Sequence, residues 1–240
     1  PASIDGTGDT KVTSTLQAFI NNVPNGTAAN PSIIVFPAGK IYQVNPGFSF
    51  TGRSYLIFEG SGTPTQYGNT NGATIKGTAN GISPSNSMFI SNSSSHHITF
   101  RNINLVGSNP ESATNKCWNG TITQNEGTIR GEYQMGIAMY GANNIEISHV
   151  VVDKAQGDDF YLGSNGTWND TIWIHNSTGK NNGRMALGII GVNNLIVEDS
   201  SWQETCMYVF DEEPNVSTEG TTNAIYRRNT IGNYGWSTAY

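Results

Sequence analysis

Five short segments of this chain can be laid over one another. They are Ile98-Thr-Phe-Arg-Asn102, Ile145-Glu-Ile-Ser-His149, Ile172-Trp-Ile-His-Asn176, Leu195-Ile-Val-Glu-Asp199 and Ile225-Tyr-Arg-Arg-Asn229. Each starts apolar, alternates, and ends on a polar residue, with steps of about 47, 27, 23 and 30 residues between copies. A second short apolar strand precedes each copy, in Met88-Phe89-Ile90, Gly136 to Met139, Phe160-Tyr161-Leu162, Leu187-Gly188-Ile189 and Val209-Phe210-Asp211. The long first step reads as one ordinary turn carrying an insertion over residues 108–130. A repeat of this length, built from short strands with no helix between them, has too little core of its own and must stack on its neighbours. Successive turns then pair in parallel about 4.8 Å apart, and alternate residues fill one apolar column. A β-sandwich would instead place turn signals every 8 to 12 residues or so, without register between copies. The in-register polar corner therefore predicts an all-β, right-handed parallel β-helix solenoid. Asn102, Asn176 and Asn229 are expected to stack at one corner as an amide ladder, with His149 and Asp199 substituting.

Composition agrees and sets limits on partners. Only 12% of the 240 residues are charged, the net charge is −6, and there are 28 glycines. Polarity comes from Asn, Ser and Thr, which favour turns over long helices. The acidic balance excludes the basic stripe that a nucleic-acid partner needs. No stretch reaches the ~18 apolar residues of a membrane span. Low Lys with high Asn, Ser and Thr fits a secreted, extracellular protein or a virion surface. The helical spacing of Leu16, Phe19, Ile20 and Val23, ended by Pro24, predicts a short N-terminal helix that caps one end of the stack. Residues 1–240 read as a single β-helix domain. Ending at Tyr240, where a further strand is due, they read as part of a longer chain.

The opening Asp5-Gly-Thr-Gly-Asp-Thr, the helix near Leu16-Gln-Ala-Phe-Ile and the strand Ile34-Val-Phe-Pro-Ala-Gly-Lys-Ile-Tyr resemble the start of pectate-lyase-like β-helix proteins. Gly157-Asp-Asp-Phe-Tyr-Leu-Gly, Asn182-Gly-Arg and Asp211-Glu-Glu-Pro-Asn resemble successive later turns of the same superfamily. The resemblance covers nearly the whole chain and implies action on polysaccharide. That superfamily holds hydrolases, lyases, epimerases and phage tail depolymerases, so fold alone does not choose the reaction. A phage origin would imply a homotrimer. Gly157-Asp158-Asp159 also resembles the Gly-Asp-Asp of polygalacturonase-type hydrolases, which makes both acids catalytic candidates. The Asn-Thr-Asp of those enzymes stands here as Tyr133-Gln134-Met135, and their Gly-His-Gly as Gly183-Arg184-Met185.

Aligning the second strands puts Asp159 level with Ala186 and Val209, and Tyr161 level with Gly188 and Asp211. With Phe160, Leu187 and Phe210 pointing inward, Asp159, Tyr161, Asp211 and Glu213 are expected on the outer face, and the adjacent Asp158 on the opposite one. Arg184 enters from the turn before the middle strand, and Glu132, Tyr133 and Gln134 stand at the equivalent mouth. An acidic, aromatic groove crossed by one arginine is the result. Glycoside hydrolysis needs one carboxylic acid and one carboxylate. Asp159 and Asp211, two turns and so roughly 9–10 Å apart along the stack, are the expected pair, with Asp158, Glu213 and Arg184 in support. A lyase would instead use Arg184 or Lys154 as base and the acids to hold Ca²⁺; a hydrolase needs no cofactor and no metal. A groove that only binds would make the protein a glycan-binding adhesin or tail-fibre shaft. Tyr161 and Trp118 are candidate sugar platforms, Trp118 because the 108–130 insertion could arch over the groove. Cys117 and Cys206 are either two buried thiols or one disulfide that pins this insertion near the acids.

Overall fold

A computed structural model describes residues 3–62, 71–78, 83–109 and 132–234, together with the backbone strands Gln124–Asn125 and Thr128–Ile129. Trp118, Cys117 and most of the 108–130 insertion lie outside the described residues.

The chain is a right-handed parallel β-helix. Three all-parallel sheets of eight, seven and six strands run along the stack, one strand per coil in each. The seven-stranded sheet carries the repeat seen in the sequence. Ile98, Ile145, Ile172 and Leu195 are paired in register, and their neighbours two residues on, Phe100, Ile147, Ile174 and Val197, are buried with them. The six-stranded sheet carries the second strands. Phe89, Ile137, Phe160, Leu187 and Phe210 are directly paired, and all but half-buried Phe210 are fully buried. Inside the coils the side chains form stacks. Phe58 lies parallel to Phe100 at 5.1 Å, Phe89 packs edge-on against both, and Trp202 meets Phe160 at 6.0 Å and Phe210 at 5.9 Å.

The last copy of the repeat is displaced by one residue from the sequence alignment. Leu195 pairs with Ala224, not with Ile225, which is left 45% exposed on the outer face. The corner residue of that coil is therefore Arg228, and Asn229 follows it, accepting from the backbone N–H of Ser200 at 3.2 Å. The reason lies in the backbone. Asn102, His149, Asn176, Asp199 and Arg228 all have φ between 50° and 58°. The bend between the two strands is made by one left-handed residue, and that conformation, rather than an amide ladder, is what repeats. Asn and Asp adopt it at least cost, and other residues are held there by their surroundings. Arg228 is tied down by Asp199, both of whose carboxylate oxygens it reaches at 2.7 Å.

A second left-handed column, missed in the sequence, runs through Tyr55, His97, Asn144, Thr171, Asn194 and Asn223 near the start of six of the seven strands of that sheet. Here amides do bond between coils: Asn194 donates to Asp170 at 2.9 Å and Asn223 to Asn194 at 3.1 Å.

The expected cap is present. The helix Thr13–Asn22 buries Leu16 and Ile20 completely and gives way to extended Val23. Gln17 fastens it to the edge of the six-stranded sheet, accepting from Ser49 N–H at 2.7 Å and donating to the Ser49 carbonyl at 2.9 Å. Arg53 closes its C-terminus by donating to the carbonyls of Ile20 and Val23, which satisfies acceptors the helix leaves open.

Thr171 is the β-branched member of a column otherwise rich in Asn, and it sits at φ 54°. A branched Cβ is strained there. Thr171→Asn is therefore expected to raise unfolding stability by about 1 kcal/mol, read as a higher denaturant midpoint at unchanged slope.

Candidate active site

The outward side of the six-stranded sheet is set by what its strands must bury. Phe160, Leu187 and Phe210 point in, so Tyr161, Gly188 and Asp211, which pair directly, point out. Just before these strands the chain turns, and the turns stack as the strands do: Asp159 N–H bonds to the Met185 carbonyl at 3.1 Å and Ala186 N–H to Tyr208 at 3.2 Å. Glu132, Tyr133, Met135, Tyr161, Arg184, Met185, Met207, Tyr208, Asp211, Glu213 and Asn215 line one groove of about 440 Å³. Six of the residues expected from the sequence thus share it: Glu132, Tyr133, Tyr161, Arg184, Asp211 and Glu213.

Two expectations about the acid pair are reversed. Asp159 does not face the groove. It is 0% exposed and accepts a hydrogen bond from Asn182 Nδ2 at 2.8 Å. Its carboxyl fills the space left by Gly179, where any Cβ would collide with it. Strand alternation fails because the strand begins only at Phe160 and the bend before it resets the parity. The residues level with Asp159 carried the signal: buried Ala186 and Val209 mark a core column. Asp158 is the acid that turns toward the groove. It lies over Gly188, whose absent side chain makes the room: a Cβ there would stand 2.6 Å from Asp158 Oδ2 and 3.0 Å from the Tyr161 ring. Asp158 is also 0% exposed, so it forms the floor beneath Arg184 rather than a wall. Lys154 is not in the groove either. It occupies a left-handed corner (φ 60°) at the far end of the eight-stranded-sheet strand Val151–Asp153.

Arg184 is the centre of the charge arrangement. Its Nη1 stands 3.5 Å from Asp158 and 4.0 Å from Glu132, and its Nη2 stands 3.5 Å from Glu213. It is 6% exposed, and its backbone carbonyl accepts from Met207 N–H at 2.7 Å. Burial opposes its charge, but Asp158, Glu132 and Glu213 outweigh burial and hold the guanidinium protonated more firmly than usual. Asp158 feels the reverse balance. Burial raises its pKa to about 7 against the pull of Arg184 and the Met185 N–H. Asp211 and Glu213 share a hydrogen bond, and burial raises both; Arg184 offsets part of this, while Asp211 presses the proton onto Glu213. Tyr133 donates to Glu132, and burial raises its hydroxyl pKa. Burial likewise pushes Tyr140 to about 12 and raises Tyr161, whose ring lies 5.7 Å from that of Tyr140, so both stay neutral donors.

Met135, Met185 and Tyr208 were not anticipated. They occupy one level of the turns, the same one as Asp158, and this column faces the groove. Carrying the strand register two residues back from Ile137, Phe160, Leu187 and Phe210 finds all four. Tyr208, 55% exposed, presents an aromatic face that the sequence reading had sought in Trp118. Cys206 is disulfide-bonded, and it packs at 0% exposure beside Asn182, whose side chain accepts from its N–H at 3.4 Å. Cys117, the one other cysteine in the sequence, is outside the described residues.

Asp159 gives a test of this placement. Its pKa is raised well above 3.8 by burial, so the folded state holds the proton more tightly than the unfolded chain. Stability must then fall as pH rises from the ordinary carboxylate range upward. Asp159→Asn keeps an acceptor for Asn182 and removes the titration. Its melting midpoint is expected to match the wild type near about pH 4 and to exceed it by roughly 3–6 °C near about pH 8. Equal midpoints at both pH values would place Asp159 in solvent instead.

No protein-family model matches the sequence, and no curated protein sequence matches it. Solved structures do match in fold. A candidate glycosyl hydrolase from Parabacteroides merdae superposes with a TM-score of 0.54 at 13% identity, over 96% of this chain and 93% of that one. The catalytic unit of a thermostable GH87 alpha-1,3-glucanase from Streptomyces thermodiastaticus gives 0.51 at 14% identity, over 97% of this chain and 39% of that one. PfbA, a surface adhesin of Streptococcus pneumoniae, gives 0.50 at 11% identity, over 96% and 71%. At these identities the likeness establishes the fold alone, the right-handed parallel β-helix.

Proposed function

We propose that this protein is a carbohydrate-active enzyme that hydrolyses glycosidic bonds in a polysaccharide laid across the six-stranded sheet. The observation that carries the reading is the convergence of Glu132, Asp158 and Glu213 on one guanidinium in a groove walled by Tyr133, Tyr161 and Tyr208. Glu132 approaches Nη1 of Arg184 and Glu213 approaches Nη2. Such a bridge lets the two carboxyls stand as far apart as an inverting pair that admits a water molecule. Glu213, whose pKa is raised by burial and further by Asp211, is suited to protonate the leaving oxygen. Glu132, at the other terminal nitrogen, is suited to take a proton from the attacking water. Asp211 favours the protonated form of Glu213, and Arg184 engages both glutamates.

Two features count against β-elimination at this groove. A base must be able to lose its proton, and Arg184 is held in the charged form by its three carboxyl neighbours. Lys154, the other candidate, is not among the described residues that line the groove. The parallel β-helix is also the fold of the alpha-1,3-glucanase. No helix among the described residues is long and apolar enough to cross a membrane, in keeping with a secreted or surface location.

Glu213→Gln and Glu132→Gln are each expected to lower reducing-end release by roughly 10²–10⁴-fold with glycan binding retained. Asp159→Asn should keep wild-type turnover. Because Glu213 must be protonated and its pKa is raised, the rate should fall on the alkaline side of the optimum, and Glu213→Gln should abolish that limb. Unchanged turnover in both glutamine variants would end this assignment.

A further inference from the structure

We infer that the outer face of the seven-stranded sheet carries a glycan-binding site separate from the groove, with Trp173 as its platform. The inference concerns binding alone and holds whether or not the groove cleaves a glycan.

The strand Asn169–His175 turns Ile172 and Ile174 into the core, so Trp173 and His175 point outward. Trp173 is 41% exposed, yet its ring is held from several directions. Its indole N–H donates at 2.9 Å to Glu198 Oε1 on the next coil. The other oxygen of Glu198 accepts from Arg227 at 2.6 Å and from Arg228 at 2.7 Å. One face of the indole lies on the His175 ring at 3.9 Å, with the planes 21° apart. That ring is fixed in turn. Asn176 donates to its Nδ1 at 2.9 Å, so its Nε2 carries the hydrogen and donates to Glu146 at 3.1 Å. The ring nitrogens of Trp173 and His175 are thus all used within the sheet. What Trp173 offers to solvent is an apolar ring in one orientation, and a side chain ordered in advance loses little entropy when a ligand arrives.

The register extends this surface over two more coils. Trp173 pairs with Ile196, and Ile196 with Ile225, which is 45% exposed. The three form an apolar strip roughly 10 Å long. Polar columns run along both edges. On one side stand His175, Glu198 and Arg227. On the other, Asp170 accepts from Asn193 at 3.2 Å, and Asn193 accepts from the Thr222 hydroxyl. Trp173, Ile196 and Ile225 are not among the residues that line the groove.

A sugar ring has the matching shape. Its C–H groups make an apolar face, and its hydroxyls rim the edge. The face stacks on an aromatic ring, while the hydroxyls donate to carboxylates and exchange hydrogen bonds with amides. A protein partner matches this surface less well. A specific protein interface covers about 800 Å² on each side, from about 20–30 residues. Here the apolar part is three side chains, and Glu146, with Thr99 behind it, ends the strip on the near side of Trp173.

The test is affinity electrophoresis of the full chain in gels holding soluble glucan, mannan, xylan or polygalacturonate, with reducing-end release measured on the same glycans. Wild-type protein is expected to be retained by one of them, and Trp173→Ala to weaken that affinity about tenfold. Trp173→Phe keeps a flat ring and is expected to stay within about threefold of the wild type. Ile225→Asn, on the exposed last strand of the strip, is expected to weaken binding about threefold and keeps the test intact if Trp173→Ala does not fold.

Tyr208→Ala, in the groove, separates the two sites. Retention lowered by Tyr208→Ala, but by neither Trp173→Ala nor Ile225→Asn, puts the binding in the groove and overturns the inference while leaving the hydrolase reading intact. Retention by no glycan overturns the inference as well. Retention lost in Trp173→Ala, with no reducing ends released from any glycan by the wild type, supports the inference and ends the hydrolase reading. A concentration-dependent dimer in sedimentation, lost in Trp173→Ala, would assign the strip to a second copy of this chain and overturn the glycan site.

Discussion

A single coil of this protein cannot bury its own apolar residues. Ile145 and Ile147 are covered only because Ile98 and Phe100 lie against them on one side and Ile172 and Ile174 on the other. In-register stacking of coils is thus the interaction on which everything else depends. It obliges each coil to bend at matching places, and at the corner of Asn102, His149, Asn176, Asp199 and Arg228 one left-handed residue supplies the bend. It also fixes which side of each strand faces outward, so residues far apart in sequence arrive in one row. Tyr161, Gly188 and Asp211 form such a row, and the groove is built along it.

The same stacking explains how carboxyls come to be buried without a strong counter-charge for each. Asp158 and Asp159 both sit at 0% exposure, in adjacent positions on opposite sides of the wall of the coil. Asp158 has Arg184 above it, while Asp159 has the amide of Asn182. Burying an ionised carboxylate is costly, and a raised pKa is the usual way out. Both residues show it. Glycines make the arrangement feasible: Gly188 opens space over the outer acid and Gly179 over the inner one. These acids weaken the folded state at neutral pH. For Asp158 the return is a fixed position for Arg184, and through it for Glu132 and Glu213.

The fold was legible because its signal repeats. Alternating apolar residues at a period of 23 to 30 or so recur five times, and one misplaced copy, Ile225 for Ala224, does not hide the period. The helix Thr13–Asn22 could be read from four apolar positions and one proline. The groove was legible for those members that lie on strands or at their mouths, where the pairing register fixes parity. Asp159 and Asp158 were assigned to the wrong sides because they lie in a bend, where strand alternation does not apply. Asn229 was placed one position off because an Asn was sought where the backbone required only a left-handed residue.

The sequence by itself determined the parallel stack, its capping helix and the level of Tyr161, Gly188 and Asp211, since these follow from spacing and from the demand that apolar residues be covered. The tertiary structure alone decided that Asp159 is buried behind Asn182, that Asp158 turns outward under Arg184, and that Glu132 and Glu213 meet different terminal nitrogens of its guanidinium. These outcomes depend on turn conformation and on side chains from different coils competing for one charge. Neither is encoded in the periodicity of any single segment.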